Sequence, residues 1–370
     1  MSSQRWAFLL ILGVLLLVSV QTVFGLFREV NLAGAFLQYS YETLGPKTWF
    51  SGEFQQAADR KTTSDFGFRS YMVRSFNQVN YSVFGTINPQ VREGREGMLF
   101  EAAYERAVCG NDRLSDEWLE TKTDSLARLD SLLQARGKKL YVLIAPNKWR
   151  YHSDRAPWSC KPSASTNYTS LLRQLHSREV ATIDCIELFE TWKATTPHPL
   201  HAPSGTHWSI YGAWRVADRL NDRLKQDGFS MPVLQLDSLE LVDESRNTDK
   251  DLFDLLNVLQ KAPRTPLAYP HVSTLEDSQT KSVVIGDSYY WTFFYLDLHD
   301  QLWAEDSPFL YYDQYRAPGS GERVEIEPGQ REQWLKEADV VIVMVNEPAI
   351  PRLGYGFLEG AIQFLEQQPI

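Results

Sequence analysis

Two short stretches carry residue types that could do covalent chemistry. In Val283-Val284-Ile285-Gly286-Asp287-Ser288-Tyr289, a buried-type apolar run ends in Gly-Asp-Ser. In open α/β sheets ligands bind outside the carboxyl ends of the strands. A serine at such a tip, surrounded by the backbone N–H groups of the next turn, has the setting of a nucleophile with an oxyanion site. The plainer reading is an Asp-Ser cap on the helix that follows. A serine nucleophile needs a base. Of the 7 histidines, His207 has the best context, in Gly205-Thr206-His207-Trp208 just before a helix start, with Trp208 able to pack beside the ring. His198 and His201 are spaced like metal ligands, but no carboxylate or cysteine stands at ligand spacing around them, so no metal is expected.

The rest of the chain must bring these stretches together. From Ser115 onward helix-period and strand-type segments alternate. Leu119, Leu126, Leu129, Leu132 and Leu133 recur at helical spacing, and Gly137 stands where a helix would stop. Leu140–Ala145, Val180–Ile186, Ser282–Ile285 and Asp339–Val345 read as short buried strands; Tyr168–Arg178 and Trp208–Asp227 read as helices. This alternation predicts an α/β fold with a doubly wound, mostly parallel sheet and flanking helices. The division expected is an N-terminal signal or anchor over 1–26, an irregular front section over 27–110, and an α/β catalytic domain over 111–370. The acidic stretch near 234–270 reads as an insertion or lid in that domain. Within the front section, Tyr71–Asn77 has helical period, and the glycines of Gly94–Phe100 suggest a hairpin.

Composition narrows the classes. With 43% hydrophobic and 23% charged residues, the 370-residue chain is ordinary globular protein. Its net charge of −10, with no basic stripe, argues against nucleic-acid binding. No phosphate loop or dinucleotide fingerprint appears, so no soluble cofactor is expected. Cys109, Cys160 and Cys185 lack a CxxC pair; in an oxidising compartment Cys160 and Cys185 could pair and leave Cys109 over, a point the sequence leaves open. Arg5 is the only charge in the first 25 residues, and Trp6–Val20 is almost wholly apolar. That reads as an export signal, with an uncleaved transmembrane anchor favoured because Val23-Phe24-Gly25 is a poor cleavage site. Leu26 onward then lies outside the cytoplasm, since Arg5 is retained inside.

The strand into Gly286-Asp287-Ser288, with the His207-Trp208 loop upstream of it, resembles the SGNH-hydrolase-like domain of the alginate O-acetyltransferases AlgJ and AlgX. In that family the His-Trp loop precedes the serine strand, an order permuted relative to ordinary SGNH esterases. Trp49–Gln55, Phe68–Asn77, Gly94–Phe100 and Ala145-Pro146-Asn147-Lys148 followed by Tyr151 are similar to further family segments, so that the resemblance runs over roughly 45–350. It implies an O-acetyltransferase that modifies an exported or cell-surface polysaccharide. Ser288 would be the nucleophile and His207 the general base. The donor would come from a membrane-bound O-acyltransferase partner, and the protein would sit in the inner membrane by a single span, its catalytic domain in the periplasm. A carbohydrate acetylesterase and a non-catalytic glycan-binding or scaffold subunit are the rival readings.

One departure stands out. The family carries Asp two residues before the histidine, and this chain has Gly205. That carboxylate holds the imidazole tautomer and steadies the imidazolium. Asp184 at a strand end, or Asp154, could substitute; a backbone carbonyl could orient the ring instead; or catalysis could be lost. By the same resemblance, Asn346 at the tip of a later strand is a candidate oxyanion donor, with Gly319 or Gly321 as a second. Arg150, Tyr151 and Trp208 are candidates to contact substrate at the cleft, and Trp149 to stack on a sugar.

Overall fold

The structure is a computed structural model that describes residues 3–34, 40–85, 88–315 and 322–368. The chain forms two compact units, one of Met1–Pro89 with Phe253–Lys261, the other of Gln90–Leu252 with Ala262–Ile370.

The first unit is helical. Its N-terminal helix, Ser3–Phe24, has 22 residues, a mean hydropathy of 2.6 over its most apolar stretch, and no Asp or Glu. At about 1.5 Å per residue it is about 33 Å long, enough for a hydrocarbon layer of about 30 Å. Gln21 closes its end: the side-chain amide donates to the Phe27 carbonyl at 2.7 Å and accepts from the Phe27 N–H at 2.9 Å. Helices Pro46–Ser51, Glu53–Asp65 and Arg69–Phe84 follow, so much of the front section is regular helix. The segment with helical period, 71–77, lies inside the last of them. Arg74 and Asn77 on that helix donate to the carbonyls of Val258 and Leu256 at 3.0 and 2.9 Å, tying the 253–261 segment into this unit.

Among its described residues the second unit holds ten strands: β1 Val91–Glu93, β2 Leu99–Glu101, β3 Lys139–Ala145, β4 Thr182–Asp184, β5 Leu234–Val242, β6 Leu267–Thr274, β7 Ser282–Gly286, β8 Phe309–Tyr311, β9 Gln314–Tyr315 and β10 Val340–Asn346. Strands β1 and β2 form the expected hairpin. The boundary expected at residue 110 falls inside this unit, because Met98, Phe100, Tyr104 and Val108 are buried in the same core as Tyr141 and Leu143 of β3. Six strands make the central sheet in the order β4-β3-β10-β7-β8-β9. All neighbours are parallel except β9, which pairs antiparallel with β8 at one edge and makes the sheet mixed.

Alternation along the strands supplies two cores. Tyr141, Leu143, Val284, Ile342 and Met344 face one side, where the helix Ile210–Gln226 contributes Val216, Ala217, Leu220 and Leu224. Leu140, Val142, Ile144, Val283, Ile285, Val341, Val343 and Val345 face the other, against the helices Asp116–Gln134, Asn167–Ser177 and Phe357–Gln367. Both faces are covered, which is why β3, β7 and β10 read as unbroken apolar runs rather than alternating ones. The stretch read as an insertion is a separate antiparallel pair, β5 on β6, whose connection carries the turn Asn247–Lys250 and the short helix Asp251–Asp254.

The pairing that the sequence left open is Cys109 with Cys160, not Cys160 with Cys185. Cys109 and Cys160 form a disulfide, and Cys185 is free and buried. Cys185 opens the helix Cys185–Lys193 with its side chain in the core, out of reach of a partner.

Candidate active site

Ser288 stands two residues beyond the last residue of β7, at the carboxyl end of a strand near the middle of the sheet. The chain turns there because Asp287, fully buried, accepts from the Tyr289 N–H through Oδ1 at 3.0 Å. Its Oδ2 accepts from the Asn346 N–H at 2.8 Å and from the Tyr355 hydroxyl at 3.2 Å. Asp287 thus ties the nucleophile turn to the tip of β10. Burial raises its carboxyl above the ordinary range, and the two amide donors pull the other way. Ser288 itself remains partly exposed.

His207 reaches Ser288 from the 199–209 loop. Its Nε2 lies 2.8 Å from Ser288 Oγ, and its Nδ1 lies 2.5 Å from Asp251 Oδ2. The other oxygen of Asp251 accepts from the Thr206 N–H at 2.8 Å, so one carboxylate fixes both the ring and its backbone. The loop is stapled from below by Lys148. This ammonium is 1% exposed and donates to the carbonyls of Ala202, Pro203 and Gly205 at 2.6, 2.9 and 2.6 Å. Burial lowers the Lys148 ammonium to about 7, against the opposing charges of Asp251 and Asp249. His201 Nδ1 donates to the His207 carbonyl at 3.0 Å, and the Tyr289 hydroxyl reaches the Thr206 carbonyl at 3.2 Å. The Tyr289 ring also lies against the imidazole, with centroids 4.7 Å apart.

The electrostatics suit a base. Burial alone would lower the His207 imidazolium. The charge of Asp251 and its hydrogen bond outweigh that, helped by Asp287 and Glu101, and hold the group above its ordinary 6.5. Glu101 is itself raised by burial, with the His207 charge opposing. A hydroxyl, an imidazole and a carboxylate in line at these distances form a proton relay that can activate the serine oxygen.

Several residues singled out in the sequence stand elsewhere. Asp184 ends β4, three strands away from β7 in the sheet. It caps the helix Cys185–Lys193, accepting from the Ile186 and Glu187 N–H groups at 3.0 and 3.4 Å and from the Tyr168 hydroxyl at 2.7 Å. Asp154 is exposed beside Arg155. The acid on His207 is Asp251, from the stretch read as an insertion. Asn346 does lie at the tip of β10, but both ends of its amide are in use: Oδ1 accepts from the Ala349 N–H at 2.9 Å, and Nδ2 donates to the Tyr104 hydroxyl at 3.1 Å. These bonds brace the turn after β10. Gly319 and Gly321 lie outside the described residues.

The expected substrate contacts are also internal. Arg150 forks onto the buried Glu347, with Nε–Oε2 at 3.1 Å and Nη2–Oε1 at 2.5 Å. Tyr151 is buried against Phe189 and His201, with Lys193 Nζ 4.5 Å from its ring centre. Trp208 is fully buried and donates from Nε1 to Thr292 Oγ1 at 2.6 Å. Trp149 is fully buried and donates to the Glu101 carbonyl. These side chains build the walls that hold His207 and the serine turn. Among the described residues, the one grouping of potential metal ligands is Glu105 with Cys109 and Cys160, whose two sulfurs are bonded to each other.

Fold and site together define a serine-centred SGNH-like α/β domain. Residues 91–289, more than half of the chain, match the family model described as the SGNH hydrolase-like domain of the acetyltransferase AlgX, and the chain belongs to that family. The family is one of acetyltransferases. Among solved structures, the O-acetyltransferase domain of Pseudomonas putida AlgJ is similar at 17% identity and a TM-score of 0.49, over 76% of this chain and 100% of that one. Pseudomonas aeruginosa AlgX is similar at 14% identity and a TM-score of 0.46, over 75% of this chain and 67% of that one. For Bacillus cereus PatB1 the values are 11% and 0.45, over 70% and 96%. No curated protein matches the chain significantly in sequence.

Proposed function

We propose that the protein is a membrane-anchored O-acetyltransferase that acetylates hydroxyls of an exported or cell-surface polysaccharide through an acetyl–Ser288 intermediate. The observation that carries this is the line Ser288 Oγ, His207 Nε2, His207 Nδ1, Asp251 Oδ2 at the carboxyl end of β7. His207 Nε2 accepts the Ser288 proton as Oγ bonds to the acyl carbon of the donor. The imidazolium, steadied by Asp251, returns that proton to the departing group as its bond to the acyl carbon breaks. A sugar hydroxyl then gives its proton to His207 while its oxygen attacks the acyl carbon, and Ser288 leaves and recovers the proton. Net, one acetyl group moves from donor to sugar.

The helix Ser3–Phe24 supports placement in a membrane by one span, with the second unit on the extracytoplasmic side, in the periplasm of a cell with two membranes. A membrane-bound O-acyltransferase as the source of the acetyl group follows from the family resemblance. Gly205 was the ground for a non-catalytic glycan-binding reading, and the presence of Asp251 on His207 speaks against it. An esterase would use the same residues. The full chain in detergent, given an activated acetyl ester and an oligosaccharide, distinguishes them by product: acetylated oligosaccharide that depends on Ser288 supports transfer, whereas release of acetate with no sugar ester supports the esterase.

A further inference from the structure

The helix Arg69–Phe84 of the first unit is inverted relative to a helix packed on a core. Met72, Phe76, Val79 and Val83 recur at i, i+4, i+7 and i+11. At 3.6 residues per turn they fall within an arc of about 60° and make a stripe about 17 Å long. A surface helix ordinarily lays such a stripe on the core. Here all four side chains are exposed, Phe76, Val79 and Val83 at 69%, 64% and 65%. The opposite side, which carries Arg74, Asn77 and Gln78, is the one spent on protein. Arg74 also donates to the Asn31 carbonyl at 3.0 Å, and the Gln78 side chain accepts from the Leu259 and Gln260 N–H groups at 3.1 and 2.9 Å.

The start of this helix is joined to the end of the apolar helix Ser3–Phe24. The Gly67 N–H donates to Thr22 Oγ1 at 2.7 Å, and a Cβ at Gly67 would stand 2.6 Å from Gln21 Cγ. Glu29 clasps both sides of the joint: it accepts from the Phe68 N–H at 2.6 Å, from the Ser70 hydroxyl at 2.9 Å and from the Gln21 amide at 3.2 Å. The rings of Phe27, Phe68 and Tyr71 pack along it, with successive centroids 5.6 and 6.4 Å apart. Thr22 lies within the last turn of a helix about as long as the hydrocarbon layer is thick. When that helix spans, Gly67 therefore sits where acyl chains give way to headgroups.

We propose that Arg69–Phe84 is an interfacial helix, lying along the extracytoplasmic surface of the membrane that Ser3–Phe24 crosses, with its apolar stripe among the lipid chains. Lipid is the occupant because the stripe is continuous with the anchor. The joint at Thr22 and Gly67 sets the start of the helix at headgroup depth, and an apolar face leaving from that depth meets acyl chains along its length. Amphipathic surface helices bind bilayers in this way. A single span leaves the rest of a chain free to swing about it; a second, in-plane contact fixes the first unit against the bilayer. The inference rests on the single-span reading of the anchor and is independent of the acetyl chemistry.

Electron paramagnetic resonance on the full-length protein in lipid bilayers, with one nitroxide on an introduced cysteine, reads depth directly. Cys185 is buried and the other two cysteines are bonded, so none competes for the label. Met72→Cys, Phe76→Cys, Val79→Cys and Val83→Cys sample the stripe, Ser75→Cys and Ser82→Cys its margin, and Leu15→Cys the anchor. The stripe labels should lie about 5–10 Å into the boundary between headgroups and chains, colliding with dissolved oxygen in preference to a water-soluble nickel chelate. The chelate should reach the labels at 75 and 82. Phe76→Asp with Val79→Asp replaces only exposed side chains, so this double variant should fold, and it should shift the label at 83 from oxygen to chelate. Stripe labels that the chelate reaches as readily as those at 75 and 82 overturn the proposal. Stripe labels shielded from both reagents overturn it in favour of a protein partner or a second copy. The label at 15 separates the premises: oxygen contact there with a stripe in water overturns the interfacial helix alone, whereas chelate contact at 15 overturns the single span as well.

Discussion

Asp251 reaches His207 along a path that residue 205 leaves free by having no side chain. A Cβ at Gly205 would stand 2.3 Å from the Thr248 carbonyl oxygen and about 3 Å from the Asp249 backbone, the stretch that delivers the Asp251 carboxylate. An aspartate at 205 and Asp251 on its present backbone exclude each other.

Gly205→Asp should therefore reduce activity even though it installs the residue that the family resemblance implies at this position. Overpacking of this kind costs about 1–3 kcal/mol or more. Thermal unfolding should show a lower midpoint, and acetyl transfer should fall because Asp251 is displaced from His207.

Asp251→Asn should lower kcat by about 10⁴-fold, the scale seen when the acid of such a relay is neutralised, with the fold intact. Asp184→Ala makes the contrast. It should cost about 1 kcal/mol of stability through the lost helix cap and leave the proton relay in place. Parallel kinetics and urea unfolding of the two variants assign the acid.

The rate should rise with pH through the His207 transition, because only neutral imidazole accepts the serine proton. That transition lies above 6.5, and Asp251→Asn should bring it down. Stability runs the other way. A histidine whose folded pKa is raised contributes stability that is full below its unfolded value of about 6.5 and is lost as pH climbs through the folded value. Unfolding of wild type and His207→Gln should accordingly converge at alkaline pH. A pH–rate profile beside denaturation curves across pH 5–9 checks both signs.

Lys148→Met should strip the ammonium donor from three carbonyls, of which that of Pro203 keeps the Leu99 N–H at 2.8 Å and that of Ala202 the Gly205 N–H at 3.4 Å. Each buried acceptor left unmade costs about 1–3 kcal/mol. Two of the three carbonyls keep a backbone donor, so a loss of about 1–3 kcal/mol with faster amide exchange over 202–207 is the expected outcome.

The Cys109–Cys160 bridge closes a loop with a sequence separation of 51. By chain entropy it contributes about 4 kcal/mol. Reductant should lower the unfolding midpoint sharply, and a thiol reagent should label Cys185 only after unfolding.

The parts of the fold that carried local periodicity were readable in advance. The unbroken apolar runs of β3, β7 and β10, the leucine spacing of Asp116–Gln134 and the amphipathic Ile210–Gln226 each state their element. Ser288 and His207 were readable because one follows a strand and the other precedes a helix, with neighbours that constrain both. Asp251 was not. It lies among several carboxylates in an acidic stretch with no periodicity, and nothing local separates it from Asp249 or Asp254. The hint available was Gly205: a missing carboxylate in an otherwise complete loop calls for one delivered across space. Asp184 and Asn346 were placed at strand tips correctly, but a strand-tip polar residue is as often a cap, and their hydrogen bonds are those of caps. Arg150 drew attention as a cation near the cleft, and the chain spends it on Glu347.

In this mechanism Ser288 carries the acetyl group between donor and sugar. Mixing the full-length protein in detergent with an activated acetyl ester, quenching within the burst and measuring intact mass tests it most directly. The expected result is an acetyl-sized gain that maps to the Ser288 peptide, is absent in Ser288→Ala, and forms far more slowly in Asp251→Asn. A folded wild-type protein that gains no acetyl mass, or gains it equally in Ser288→Ala, would contradict it.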